Sequence, residues 1–133
     1  MVSQQAFSAR GLSATDKLRM LASTLDIPVD LPETMTAMNG KPGRKWADIP
    51  DAITCIRNAL VHPSEKKSPF TSAHYCEAWQ LSMWLLDLVL LRLCRHTGDY
   101  ANRLAPEKWA GTVERVPWTK QCADGENGIE LQP

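Results

Sequence analysis

The sequence predicts an all-α fold: a small helical bundle of four main helices, one of them long, with an irregular C-terminal segment and a dimeric assembly. Three observations carry that expectation. Apolar residues recur at helical spacing in three stretches, Leu18 to Leu25, Ile49 to Leu60 and Tyr75 to Leu93. Cap residues and prolines bound these stretches, where strands would show strict alternation. The last of them is apolar around more than half its circumference, and a helix of that kind must be enclosed by neighbours. Three partner helices from one short chain are barely enough to enclose it, which is the reason for expecting a homodimer.

The elements follow in order. Residues 1–12 read as a loose lead. Ser13, with Asp16 three residues on, resembles a capping box. Leu18, Leu21, Ala22 and Leu25 then form one face of a helix that Pro28 stops. "LPETMTAMNG" suggests a short second helix, with Pro32 at its first position and Gly40 past its end. "GKPGRKW" is a basic, turn-rich connection.

A third helix starts at Asp48, a good N-cap, and runs to about Val61. Ile49, Ala52, Ile53, Ile56, Ala59 and Leu60 fall on one side of it. Pro63 ends it and pushes His62 away from helical geometry. "SEKKS" is a solvated loop. Ser68-Pro69 reads as cap and first position of the fourth helix, and Gly98 as the residue after its end. Unbroken, that helix spans about 29 residues, roughly 43 Å. Tyr75, Trp79, Met83, Leu86, Leu90 and Leu93 share one side, with Leu85 and Val89 beside them. A less apolar seam through Glu77, Gln80, Trp84, Asp87, Leu91 and Arg95 reads as the solvated face. Beyond Gly98 a short turn or helix leads to an extended segment, Thr112 to Trp118, and residues 119–133 form a polar tail. The domain proper is thus 13–118.

Composition narrows the function. Fifteen basic and fifteen acidic side chains cancel, so the chain is not a strongly basic nucleic-acid-binding domain and has room only for a local basic patch. Lys41, Arg44 and Lys45 with Lys66 and Lys67 could form such a rim, or equally two solvated loops. The first residues lack the apolar core of a signal peptide. "LSMWLLDLVLLRL" is too short, and too charged at Asp87 and Arg92, to span a bilayer. A cytoplasmic protein with no membrane partner is expected, its four cysteines reduced and two or three of them packed as small hydrophobes.

No metal or other cofactor is expected. His74 with Cys76 and Cys94 with His96 sit far apart on one predicted rod, where ligands for one tetrahedron cannot converge. There is no glycine-rich phosphate loop, no G-x-S-x-G elbow, and no cysteine in a distinctive catalytic setting.

Arg57 and His62 are the chemistry-bearing candidates. Arg57 lies about 40° from Ile53 and about 60° from Leu60 on the helical wheel, so it should be partly buried. On spacing alone two readings stand. Arg57 makes a structural ion pair while His62 caps the last carbonyls, or the two share a site at the helix end.

The string "IRNALVHP" resembles the signature of the HEPN superfamily, R-x(4–6)-H with a polar residue after the arginine, here Arg57, Asn58 and His62. "GDYANR" and "VERVPW" are similar to the tail of a bacterial HEPN group that includes C-terminal domains of phage-defence proteins. The resemblance runs from about Asp16 to Trp118. It implies an all-α dimer whose motif helices meet, and in many members a metal-independent endoribonuclease of antiviral or toxin systems. Other members are inactive dimerisation, sensing or partner-binding modules. The branch paired with a nucleotidyltransferase antitoxin carries a tyrosine two positions after the histidine, where this chain has Ser64, so control at that tyrosine is not implied.

The residue types suit RNA cleavage. An imidazole can move the 2′-hydroxyl and leaving-oxygen protons, and a guanidinium matches phosphate oxygens. Asn58 would bond phosphate or orient His62, and Glu77 or Asp87 could position Arg57 through an ion pair. A regulatory domain or inhibitory partner would complete such a system.

Overall fold

The computed structural model describes residues 11–40, 45–63, 67–106 and 111–122. Four helices and a two-stranded sheet make a small, mostly helical domain, as the sequence predicts. In order these are α1 (Ala14–Thr24), α2 (Thr36–Asn39), α3 (Ile49–Val61), α4 (Ser72–Leu93), β1 (Asp99–Tyr100) and β2 (Glu114–Arg115), followed by a 3₁₀ helix, Pro117–Cys122.

The ends of α1 and α3 fall where the cap residues put them. The Ser13 hydroxyl accepts the Asp16 amide at the start of α1. Asp48 accepts the Asp51 amide, and Asp51 accepts the Ala47 amide in return, which is a reciprocal cap. The two helices are tied together by Arg19 on α1. Its guanidinium donates to both carboxylate oxygens of Asp48 and also to Asp16. Thr15 and Thr54 add a hydroxyl pair at 2.6 Å between the same helices.

The fourth helix is shorter than expected at both ends. Phe70 packs on Trp46 with ring centroids 5.9 Å apart, so residues 67–70 stay outside the helix and Thr71 caps it. His74 Nδ1 accepts the Thr71 amide. At the other end Arg95, not Gly98, takes the left-handed conformation, with φ 57°. The Arg95 amide donates to Arg92 O and the His96 amide to Leu91 O, which closes a Schellman turn. Asp26 (φ 55°) closes α1 in the same way, ahead of Pro28.

The core lies between α1, α2 and α3 on one side and the inward face of α4 on the other. It contains Ala22, Met38, Ile49, Ala52 and Ile56 against Ala78, Leu81, Trp84, Leu85 and Leu88. The predicted facing of α4 holds only in part: Leu85 is buried, Tyr75 and Val89 pack against the core and Arg95 is exposed, but the rest is turned round. Trp84, placed on the solvated seam, is buried, and Glu77, Gln80, Asp87 and Leu91 are half-buried. Trp79, Leu86, Leu90 and Leu93 are instead 48–65% exposed. The polar groups decide this. Glu77 and Asp87 both have fixed partners inside the fold, so their side of the helix turns inward.

The C-terminal segment covers α4. β1 and β2 pair antiparallel, Asp99 with Arg115 and Tyr100 with Glu114; β2 lies in the segment expected to be extended, whereas β1 falls where a turn or helix was expected. Tyr100 donates to Glu114 and accepts from Trp84 Nε1. Burial, with the Glu114 carboxylate beside it and against the Trp84 N–H, pushes its phenol up to about 12. Trp118 Nε1 donates to His96 O, and the Arg92 guanidinium stacks over the Trp118 ring. Among the described residues no helix is long and apolar enough to cross a membrane. Residues 1–10 and the tail after Cys122 lie outside the description.

Candidate functional site

The site is built at the C-terminal end of α3, where the helix runs out against Pro63. His62 is the C-cap residue, with φ −119° and ψ 69°, and its amide still donates to Asn58 O at 2.9 Å. The proline break thus releases the imidazole from the helical wheel while the backbone stays anchored. His62 is exposed.

Arg57 is exposed as well, which corrects the expectation of partial burial. Ile49, Ala52 and Ile56 form the buried stripe of α3, and the wheel position of Arg57 falls just outside it. Its Nη1 donates to Asn58 Oδ1 at 3.2 Å. Among the described residues the ion pairs join Arg19 to Asp16 and Asp48, Arg92 to Asp26, Arg103 to Asp87 and Arg115 to Asp99, and Arg57 is in none of them. Arg57 and Asn58 thus stand side by side and His62 lies at the end of the same helix, all three open to solvent. Their neighbours Leu60 and Val61 are apolar and exposed too, at 63% and 49%.

The two acids suggested as supports for Arg57 are engaged elsewhere. The Glu77 carboxylate accepts the Ala37 and Met38 amides, both at 2.9 Å. It serves as the cap that α2 lacks, since Met35 at the N-cap position has no side-chain acceptor. Asp87 takes the Nε–H of Arg103 in a short ion pair that raises the guanidinium's affinity for its proton. Sequence reasoning missed both roles because the partners lie 40 and 16 residues away.

Of the basic rim, Lys45 and Lys67 are exposed. Lys41, Arg44 and Lys66 lie outside the described residues, as does Ser64. Among the described residues no three His, Cys, Asp or Glu side chains gather to hold a metal. His74 is committed to Thr71, and His96 Nε2 sits 2.9 Å from the Asp99 carbonyl. Of the four cysteines, two or three of which were expected to pack as small hydrophobes, Cys76 and Cys94 are exposed and Cys55 is half-buried. An open groove of about 440 Å³ along α1, lined by Leu12, Asp16, Arg19, Met20, Ser23 and Thr24, shares no residue with the Arg57 end.

A family model described as the YopA C-terminal domain matches residues 1–115. The chain is also similar to the SPbeta prophage-derived uncharacterized protein YopA of Bacillus subtilis (strain 168), 28% identical over 110 residues. That alignment covers 80% of this chain and 24% of the relative, so the chain spans about a quarter of that protein's length. No solved structure matches it. The chain belongs to the YopA C-terminal domain family.

Proposed function

We propose that this member of the YopA C-terminal domain family is a metal-independent endoribonuclease of HEPN type, with a composite site built from Arg57 and His62 of two copies. The observation that supports the reading best is the solvent-open trio of Arg57, Asn58 and His62 at the end of α3, with Arg57 held by no acid among the described residues. A guanidinium already neutralised by a carboxylate would have little left for a phosphate. This one offers its donors outward.

RNA supplies its own nucleophile. One imidazole takes the 2′-hydroxyl proton as the 2′-oxygen attacks phosphorus, and a second gives a proton to the departing 5′-oxygen. The products are a 2′,3′-cyclic phosphate and a free 5′-hydroxyl. Arg57 stabilises the charge that builds on the non-bridging oxygens. A single chain brings one such histidine. A two-fold pair brings two, on opposite sides of the phosphate. Asn58 holds the arginine in place through its side-chain oxygen.

The relative's prophage origin suits a role in conflict between phages or a toxin-like stress response. A second reading is an inactive HEPN-like module that dimerises or binds a ligand or partner. The specific observation in its favour is the coverage of only 24% of the relative, which leaves room for the recognising part to lie elsewhere in a longer protein.

The test is cleavage of a mixed RNA pool in EDTA by wild type, His62→Ala and Arg57→Ala, each checked for equal helicity. Cutting by wild type alone, with cyclic phosphate ends, is the expected result. Equal cutting by all three, or by none, refutes the nuclease reading for this chain and leaves the binding module.

A further inference from the structure

Helix α4 has two places at which it can begin. Ser68 Oγ accepts the Phe70 amide at 3.2 Å, which is the bond an N-cap serine makes to the second residue of its helix. Pro69 beside it suits a first helical position, having a preset φ and no amide to satisfy. One cap bond of a longer helix is thus already formed. The helix nevertheless starts at Ser72, because Thr71 stays extended, with φ −96° and ψ 171°.

His74 holds that later start. Its Nδ1 accepts the Thr71 amide at 3.1 Å and lies 2.9 Å from the Thr71 hydroxyl. Glutamate or glutamine has this role in the usual capping box. An imidazole differs in taking up a proton within the physiological range. The His74 ring also packs on Phe70, centroids 5.5 Å apart, and Phe70 packs on Trp46.

We propose that protonation of His74 moves the start of α4 from Thr71 back to Ser68, so that residues 69–71 join the helix and Phe70 leaves Trp46. Two effects act in the same direction. A protonated Nδ1 has no lone pair left: the Thr71 hydroxyl can turn round and accept from it, but the Thr71 amide loses its acceptor. The new charge also sits in the first turn, at the positive end of the helix dipole. In the longer helix Ser68 takes over as cap, and His74 moves from the third helical position to the sixth. Its ring still lies beside Phe70, four residues away on the same face. A proton shifts such a balance only by its differential affinity for the two states. A lost cap and an opposed dipole together amount to about tenfold.

The ionisable groups around His74 leave it free to act. Glu77, one turn on, is engaged by the α2 amides. The Tyr75 hydroxyl pairs with Ser68 at 3.1 Å, and Cys76 is exposed. Lys45 and Lys67, on the segments leading to Trp46 and Phe70, are exposed. The ion pairs of the described residues do not include His74. The device does not depend on what Arg57 and His62 do, and holds for an active or an inactive domain.

Nuclear magnetic resonance on the full chain tests it, between pH 8 and pH 5.5, where carboxylates stay ionised. On acidification the Cα shifts of Pro69, Phe70 and Thr71 should move to helical values. The ratio of long to short start should rise about tenfold, in step with the His74 ring carbons. His74→Gln keeps an acceptor that cannot titrate, so its shifts should stay at those of the later start throughout. Ser68→Ala removes the earlier cap, and acid should then fray residues 72–73 without adding 69–71. Circular dichroism at pH 8 checks that the variants fold as wild type does. Residues 69–71 that stay non-helical in wild type at pH 5.5 overturn the proposal. So does lengthening that survives in either variant; in His74→Gln it would hand the effect to His62 or His96.

Discussion

Glu77→Ala should be among the most damaging single substitutions in this domain, although the residue touches neither Arg57 nor His62 in any recorded contact. Helix α2 has four residues, too few to persist by themselves, and its N-cap side chain is the thioether of Met35. Two of its orphan amides, Ala37 and Met38, are satisfied by the two oxygens of Glu77. Amide bonds to a charged acceptor contribute about 1.5 kcal/mol each at the lower end of their range, and removal leaves two half-buried donors without that partner. The loss should be about 2–3 kcal/mol. In a domain of this size that lowers the melting temperature by about 10 °C. Met35 and Met38 would lose their seat, and with them Trp46, whose indole N–H donates to Met38 O.

Glu77→Gln is the informative companion. It keeps one oxygen acceptor and the side-chain volume, so about 1 kcal/mol should be lost, roughly 4 °C. The assay is urea and thermal unfolding followed at 222 nm, with RNA cleavage measured below both transitions. A loss under about 0.5 kcal/mol for alanine would refute the capping argument. Unchanged melting with lost cleavage would go further and restore Glu77 as a positioning residue for Arg57.

Two other predictions concern the helix ends. The Arg19 hydrogen bond, with help from the Asp51 amide, holds the Asp48 carboxyl below its ordinary 3.8. A depressed folded-state value contributes stability above the unfolded value and loses it as pH falls through the folded one, so unfolding should become easier below pH about 4. Arg19→Met should flatten that acid limb in urea titrations repeated from pH 6 to pH 2.5, and an unchanged limb would remove the Arg19–Asp48 pair as its cause. At the end of α4, Arg95 occupies left-handed space that costs a side-chain-bearing residue about 1 kcal/mol. Arg95→Gly should therefore raise the melting temperature by about 4 °C, and a lowered one would mean that the arginine side chain contributes more than its backbone costs.

The parts of the fold that were legible in the sequence are those fixed by local chemistry. Ser13 and Asp48 accept the amides that their positions suggest, and Pro63 ends α3 as a proline must. Errors came where a distant group outweighed a local signal. Ser68-Pro69 has the right order for a helix start, yet Phe70 is drawn onto Trp46 and the helix waits for Thr71. Gly98 is the better left-handed residue by type, yet Arg95 takes that conformation because the turn closes three residues sooner. The candidate trio was legible as a motif, but its exposure was not, because a wheel angle cannot tell the rim of a buried stripe from its centre.

The facing of α4 is the deepest of these errors, and it bears on function. A helix apolar on every side gives periodicity nothing to choose between, so the choice passes to its few polar residues. Glu77 must reach α2 and Asp87 must reach Arg103, and both lie on the side that consequently turns inward. The larger apolar seam is left outside by default. Had the fold been selected only for the stability of a lone chain, exchanging Trp79 and Leu90 for polar residues would relieve that exposure at no cost to the core. Trp79, Leu86, Leu90 and Leu93 are thus exposed because the polar residues set the facing and the apolar periodicity could not.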